Sequence, residues 1–304
     1  MPRTPIVLVC WLTSCAGLGE HVVTSVSPNH ATSRSWEDVF AHPTALTVDK
    51  RLSGWVRASA SILIDASNPR TPAELKADQW VPVPFYLVHH PAHGVVLFDT
   101  GVAEGDCSYG FRPFYWVPCQ VGPEGAAARQ LGDQALTAIV LSHGHGDHAQ
   151  GLAGLTARAR VPVIVAESEW SAVNGAFRAF EGYLTEQLAG DYPVQLLRTS
   201  DFTEMPLLGR VFDLYGDGSI WLIESSGHTR GQLSALFNAE AGPILLTFDA
   251  SHLEANFKFG IAPGFTADKE AALATLARLA AFKAAYPQVQ VVYGHEPSQW
   301  PLRP

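Results

Sequence analysis

From about residue 55 onward the chain breaks into short apolar runs, rich in Val, Ile and Phe, that are separated by turn residues. Runs of that length bounded by Gly, Pro, Asp and Asn predict strands. "VPFYLVHH" and "GVVLFDTG" flank the turn "PAHG" and predict a hairpin. "ALTAIVLSH" and "VPVIVAE" predict buried strands. The first is followed by helical spacing in "AQGLAGLTA", and the second by a helix from Ser168 to about Arg178. The pattern weakens over residues 179–210, and strands return with "RVFDLY", "SIWLIES", "LSALFNA" and "PILLTFDA". A long helix is predicted from Thr266 to Tyr286, with Leu273, Leu276, Leu279 and Phe282 on one face. "VQVVYGH" predicts a last buried strand. Strands interleaved with helices define an α/β chain.

Composition narrows the class. With 47% apolar and 16% charged residues the chain is globular, and 304 residues suffice for one large domain or two smaller ones. A net charge of −9 with no basic block argues against nucleic acid as a partner and favours a small-molecule substrate. No stretch reaches the ~20 apolar residues of a membrane-spanning helix. The first residues, "MPRTPIVLVCWLTSCAG", place Arg3 before an apolar run from Ile6 to Leu12 and end on "LTSC". That pattern resembles a bacterial lipoprotein signal over residues 1–15, with Cys15 as the lipidated residue and an exported, membrane-attached product. A buried first strand and a cytoplasmic protein are the alternatives. Residues 16–50, which include the polar "SVSPNHATSRS", are expected to form a tether, and residues 51–304 the folded domain. Cys10 belongs to the leader, while Cys107 and Cys119 bracket the aromatic loop "YGFRPFYW" and pair plausibly in an oxidising compartment.

Candidate chemistry concentrates where apolar runs end. "LSHGHGDHAQG" supplies His143, His145, Asp147 and His148, and a lone histidine carries no such information. Side chains two apart on a chain leaving a strand point the same way, which pairs His143 with His145. Gly144 and Gly146 permit the tight backbone between them. Asp147 and His148 are adjacent and diverge, so the turn suits two neighbouring metals better than one closed tetrahedron. Imidazoles and a carboxylate fit Zn²⁺, with Fe or Mn also accepted because no thiolate narrows the choice. Other strand ends supply His228 in "SSGHTRGQ", Asp249 in "LLTFDAS" and His295 in "VVYGHEPS".

This series, H-x-H-x-D-H, then G-H-T-x-G, a strand-ending Asp and a strand-ending G-H, resembles the ligand pattern of the metallo-β-lactamase superfamily. The resemblance implies a single four-layer αββα sandwich holding two divalent metal ions. It implies that His143, His145 and His228 hold the first ion, that Asp147, His148 and His295 hold the second, and that Asp249 bridges them. Asp99 in "FDTG" matches a strand-ending Asp that orients a ligand, with a turn cap as the alternative. Within the superfamily, "TFDASHLEANFKFG", a long helix and "VVYGHE" look like the N-acyl homoserine lactone hydrolases, the quorum-quenching lactonases. Their D-A-S-Y segment carries a Tyr that contacts substrate, and this chain has His252 there, whose imidazole can donate a hydrogen bond to substrate in its place; a partner orienting a metal ligand and a surface residue are the alternatives.

The implied reaction is lactone or ester opening by hydroxide formed between the metals, with Asp147 passing a proton to the leaving oxygen. The loop of residues 109–116 either lines an acyl-chain groove or serves as ordinary packing. Thioester or phosphotriester hydrolysis on the same site, a di-iron oxidoreductase and a non-catalytic binding protein are the rival readings.

Overall fold

The computed structural model describes residues 21–26 and 35–300. The signal expected over residues 1–15, with Cys10 and Cys15, lies outside the described residues. Two sheets face each other. The larger runs, in spatial order, Val23–Ser25, Val194–Leu197, Val163–Ala166, Ala138–Val140, Gly94–Phe98, Gln79–His90, Thr47–Ala58 and Cys119–Val121. Its first five strands are parallel, and the expected hairpin, Gln79–His90 with Gly94–Phe98, is antiparallel. The smaller sheet runs Gln290–Tyr293, Ile244–Phe248, Leu233–Phe237, Ile220–Glu224, Gly209–Asp213 and Thr203–Met205, antiparallel except for its first pair.

Period-two alternation builds the layers. Tyr86, Val88, Val96 and Phe98 point between the sheets and meet Phe212, Leu222, Phe237 and Leu246. Their neighbours Phe85, Leu87, Val95 and Leu97 point outward and are covered by Leu131, Leu152, Leu155 and Val173 of the helical segments. On the far side Trp221, Ile223, Leu236 and Leu245 are covered by Leu279 and Phe282. Both faces of both sheets are thus covered, which is why so many strands read as continuous apolar runs. The result is the four-layer αββα sandwich.

Three expectations need correction. The stretch 16–50 is not simply a tether. Val23–Ser25 pairs in parallel with Val194–Leu196, and Trp36–Ala41 forms a helix capped by Ser35. Trp36 is fully buried against Trp221 and Phe282, with ring centroids 5.3 Å from each, and its indole N–H donates to the Pro206 carbonyl at 2.8 Å. The folded domain therefore begins before residue 51. The helix expected over 266–286 spans Lys269–Ala285, begun by Asp268 accepting from the Ala271 N–H at 2.9 Å. Leu273 on that helix is exposed, while Ala272, Thr275, Leu276, Leu279 and Phe282 are buried. Steps of three fall short of the 3.6-residue turn, so 273 rotates off the face that 279 and 282 define. The helix expected from Ser168 ends early, covering Glu167–Val173.

Candidate dinuclear metal centre

In each sheet the strands that precede the candidate ligands run the same way, so their C-terminal ends open on one edge of the sandwich. Ala138–Val140 leads to His143, and His145 caps the short helix Gly146–Ala149 that carries Asp147 and His148. Ile220–Glu224 leads to His228, Ile244–Phe248 to Asp249 and His252, Gln290–Tyr293 to His295, and Gly94–Phe98 to Asp99. Asp249 is aimed by an irregularity. The register shifts between Leu246 and Phe248, and Phe248 takes a φ of +45°, a left-handed conformation that a bulky residue adopts only when its surroundings enforce it.

The outer nitrogen of each imidazole is already committed. His228 Nδ1 meets the Phe265 carbonyl at 2.8 Å, His295 Nδ1 the Pro82 carbonyl at 2.8 Å, and His252 Nδ1 the Leu63 carbonyl at 3.0 Å. His145 Nε2 meets the Glu181 carbonyl at 2.9 Å, a contact that needs Gly182, whose added Cβ would fall 2.5 Å from that nitrogen. His148 Nδ1 lies 2.7 Å from Asp99 Oδ2. His143 Nδ1 lies 3.0 Å from the Ser142 hydroxyl, which donates to Asp99 Oδ2 at 2.8 Å. Carbonyls and carboxylates only accept, so the outer nitrogens facing them carry a proton, and in the neutral ring, the form that ligates a metal, the inner nitrogen is a lone pair.

Those inner nitrogens converge on a carboxylate. Asp249 Oδ1 is 3.2 Å from both His148 Nε2 and His295 Nε2. Asp249 Oδ2 is 3.4 Å from His228 Nε2, 3.7 Å from His143 Nε2 and 3.0 Å from His252 Nε2. His145 Nδ1 is 3.0 Å from His228 Nε2, and Asp147 Oδ2 is 3.4 Å from His295 Nε2. His143 Nε2, His148 Nε2 and Asp249 Oδ1 are buried without a hydrogen bond. Lone pairs packed around a buried carboxylate are costly unless a cation joins them. His143, His145 and His228 form one group with ligand spacing, and Asp147, His148 and His295 form another. The donor set therefore fits two divalent ions.

Ionisation divides the site. Burial holds His143 and His228 well below the usual histidine range, and His145 below it. Burial also pushes His148 down, but Asp249, Asp99 and Asp147 together outweigh it and hold the ring well above that range. His295 is raised by Asp249 and Asp147 against the same burial. Burial drives the Asp249 carboxyl up, yet the surrounding His148, His295 and His252 hold it well below the carboxylate range.

Asp99 holds two of the candidate rings in place. It is fully buried, accepts from the Ser142 N–H at 2.7 Å, and reaches His148 directly and His143 through the serine. His252 stands against Asp249, with Nδ1 3.0 Å from the Leu63 carbonyl and Nε2 3.0 Å from Asp249 Oδ2, and it lines the same pocket as the candidate ligands.

Two neighbours were not individually marked by the sequence, though the second lies in the loop of residues 109–116. Glu169, fully buried, accepts from the Gly144 N–H and the Gly231 N–H at 2.9 Å each, tying the two histidine loops together. Burial raises its carboxyl, with those N–H groups pulling the other way. A glutamate in the first turn of a helix is ordinary, so nothing in the sequence marked it. Tyr109 lies in the aromatic loop and turns its hydroxyl to Asp147; burial first, then that carboxylate, push the phenol well above its usual range. A further grouping, His90, His93 and Asp217, lies away from these residues. His90 Nδ1 accepts from the Ala92 and His93 N–H groups, so its Nε2 carries a proton for Asp217 and is no ligand.

Fold and site together define a metallo-β-lactamase protein: the model of the metallo-beta-lactamase superfamily matches residues 78–295, and the chain belongs to that family. Among its relatives, it is 31% identical over 236 residues to the N-acyl homoserine lactonase AttM of Azorhizobium caulinodans, which covers 74% of this chain and 86% of the relative. It is similar in fold to a B. thuringiensis AiiA variant solved with N-decanoyl-L-homoserine at its active site (TM-score 0.68, 22% identity, 84% of this chain and 95% of that one). An N-acyl homoserine lactone hydrolase solved with N-hexanoyl-L-homoserine at its catalytic metal centre matches with a TM-score of 0.67 and 22% identity, over 84% and 95% of the two chains.

Proposed function

We propose that the protein is a metal-dependent lactone hydrolase acting on N-acyl homoserine lactones. The observation that carries this is Asp249, whose two oxygens face different sets of imidazoles at the floor of an apolar pocket. The activity named for its relatives supports the substrate class. His143, His145 and His228 would hold one ion, Asp147, His148 and His295 the other, with Asp249 between them. Divalent ions there, zinc by donor chemistry with iron or manganese also accepted, supply a Lewis acid for the ester carbonyl and a water that ionises near neutral pH.

The chain's own groups do the rest. Val56, Ala58, Ile62, Leu63, Val81 and Val117 line the pocket and keep bulk water from the ester. Asp147 takes up the proton of the attacking water and passes it to the ring oxygen as the C–O bond breaks, so the product is a hydroxy acid. Exposed Phe114 and Phe180 cluster with half-buried Phe111, centroids 5.0–5.2 Å apart, and line a cavity that shares Ile62, Tyr115 and Phe265 with the pocket, which supports an acyl tail as the part of the substrate that leads outward. Export and attachment through Cys15 are proposed with the same reading, supported by the Cys107–Cys119 disulfide, since such bonds persist in oxidising compartments; recovery of the protein in the cytosolic fraction of cells bearing it would remove that part.

Purified protein is expected to hold about two metal ions per chain and to open N-acyl homoserine lactones. His143→Ala is expected to abolish turnover. Less than about one ion per chain without lactone opening would sink the reading, and turnover of a thioester or aryl phosphotriester in its place would move it to that ester class.

A further inference from the structure

We propose that Tyr109 is a catalytic residue that donates a hydrogen bond to the departing ring oxygen of the lactone, supplying from the disulfide-closed loop the phenol that position 252 lacks. This rests on the lactonase reading above.

The pocket leaves few alternatives. Besides the metal-ligand candidates and apolar side chains, its lining includes His252, Tyr115 and Tyr109. His252 is held between the Leu63 carbonyl and Asp249. The Tyr115 hydroxyl donates to the Ala179 carbonyl at 3.2 Å. The Tyr109 hydroxyl lies beside Asp147 in the same pocket; its one proton rests on that carboxylate and turns to the leaving oxygen once Asp147 has taken up the proton of the attacking water. A phenol there meets the oxygen on which negative charge grows as the ring opens, and a donor aimed at growing charge stabilises the transition state more than the substrate.

The loop is built to hold that hydroxyl still. Tyr109 and Val117 exchange backbone hydrogen bonds of 3.1 and 2.7 Å, and two residues out on each side Cys107 and Cys119 are covalently joined. The Cys107 carbonyl accepts from Gln150 Nε2 at 3.2 Å, fastening the loop to the segment just after the ligand-bearing turn. The Tyr109 ring closes over Gly146, where an added Cβ would approach Tyr109 Cδ2 to 3.1 Å.

Leaving-group dependence tests the assignment. Tyr109→Phe is compared with the wild type on an N-acyl homoserine lactone and on the 4-nitrophenyl ester of the same acyl group, with metal content measured on both proteins. The lactone expels an alkoxide that needs the donor; the aryl ester expels a stabilised phenolate. Expected is a loss of about 10²-fold in kcat/KM on the lactone, under about 3-fold on the aryl ester, and unchanged metal content. Full lactonase activity, an equal loss on both substrates, or loss of metal each overturns the proposal, the last two showing that Tyr109 only shapes the site. A wild type without lactonase activity would instead be the failure of the functional reading. Calorimetric binding of the ring-opened hydroxy acid and of its deoxy analogue gives a readout without turnover. The wild type is expected to prefer the hydroxyl form by at least about 5-fold and the variant to lose that preference; a wild type that binds both equally also overturns the proposal.

Discussion

Glu169→Gln is the sharpest probe of how the metal site is held. Glu169 is fully buried and receives one backbone N–H from each histidine loop, Gly144 between His143 and His145, and Gly231 beyond His228. Glutamine keeps the shape but offers one accepting oxygen and one donating amide, so one N–H is left facing another donor. A hydrogen bond to a charged group contributes about 1.5–3 kcal/mol, and a buried unsatisfied donor costs about 1–3 kcal/mol. The expected loss of stability is therefore about 2–4 kcal/mol in denaturant unfolding of protein treated with chelator. Displacement of the loops should also weaken metal binding. Groups that orient ligands without touching the ion contribute about 10–100-fold in affinity, and chelator competition measures it. Glu169→Ala removes both acceptors and is expected to be worse on both counts. If Glu169→Gln unfolds within about 0.5 kcal/mol of the wild type and binds metal as tightly, the clamp does not hold the loops and the reasoning fails.

Metal uptake should release protons: Asp249 and the neighbouring carboxylates raise His148 and His295, so without an ion each ring keeps its second proton to higher pH than a free imidazole, and ligation requires both neutral. Affinity is then expected to fall as pH drops, with protons released on binding, read by titration in buffers of different ionisation enthalpy; pH-independent affinity between 6 and 8 would contradict the assignment. Reducing the Cys107–Cys119 bond, which closes a loop of sequence separation 12, is expected to cost about 3 kcal/mol in denaturant unfolding, and no change on reduction would count against it. Trp36→Ala should destabilise by about 3–5 kcal/mol, because the indole is fully buried and hydrogen-bonded to Pro206; a neutral effect would return residues 35–50 to the status of a tether.

What the sequence alone determined is the chemistry and the layers. Ligand types occur in short local motifs, so His143, His145, Asp147 and His148 declared themselves by spacing, and His228, Asp249 and His295 by ending apolar runs. Two-sided burial wrote the strands as continuous runs, and the αββα arrangement followed from the resemblance those motifs carried. What only tertiary structure decided is which groups hold the ligands and which way each nitrogen points. Asp249 faces both imidazole sets because Phe248 is forced to φ +45° at a shift in strand register, a constraint imposed by the strand alongside. Glu169 and Tyr109 act through contacts 25 to 62 residues away in one case and 38 in the other (147 − 109), so no local pattern distinguishes them from an ordinary helix-start carboxylate and a loop aromatic. Trp36 looked like part of a polar tether because its partners, Trp221 and Phe282, lie far along the chain. Short-range composition reports what a residue can do. Long-range packing decides which proton, lone pair or charge it presents, because each of those depends on neighbours that the chain brings together only on folding.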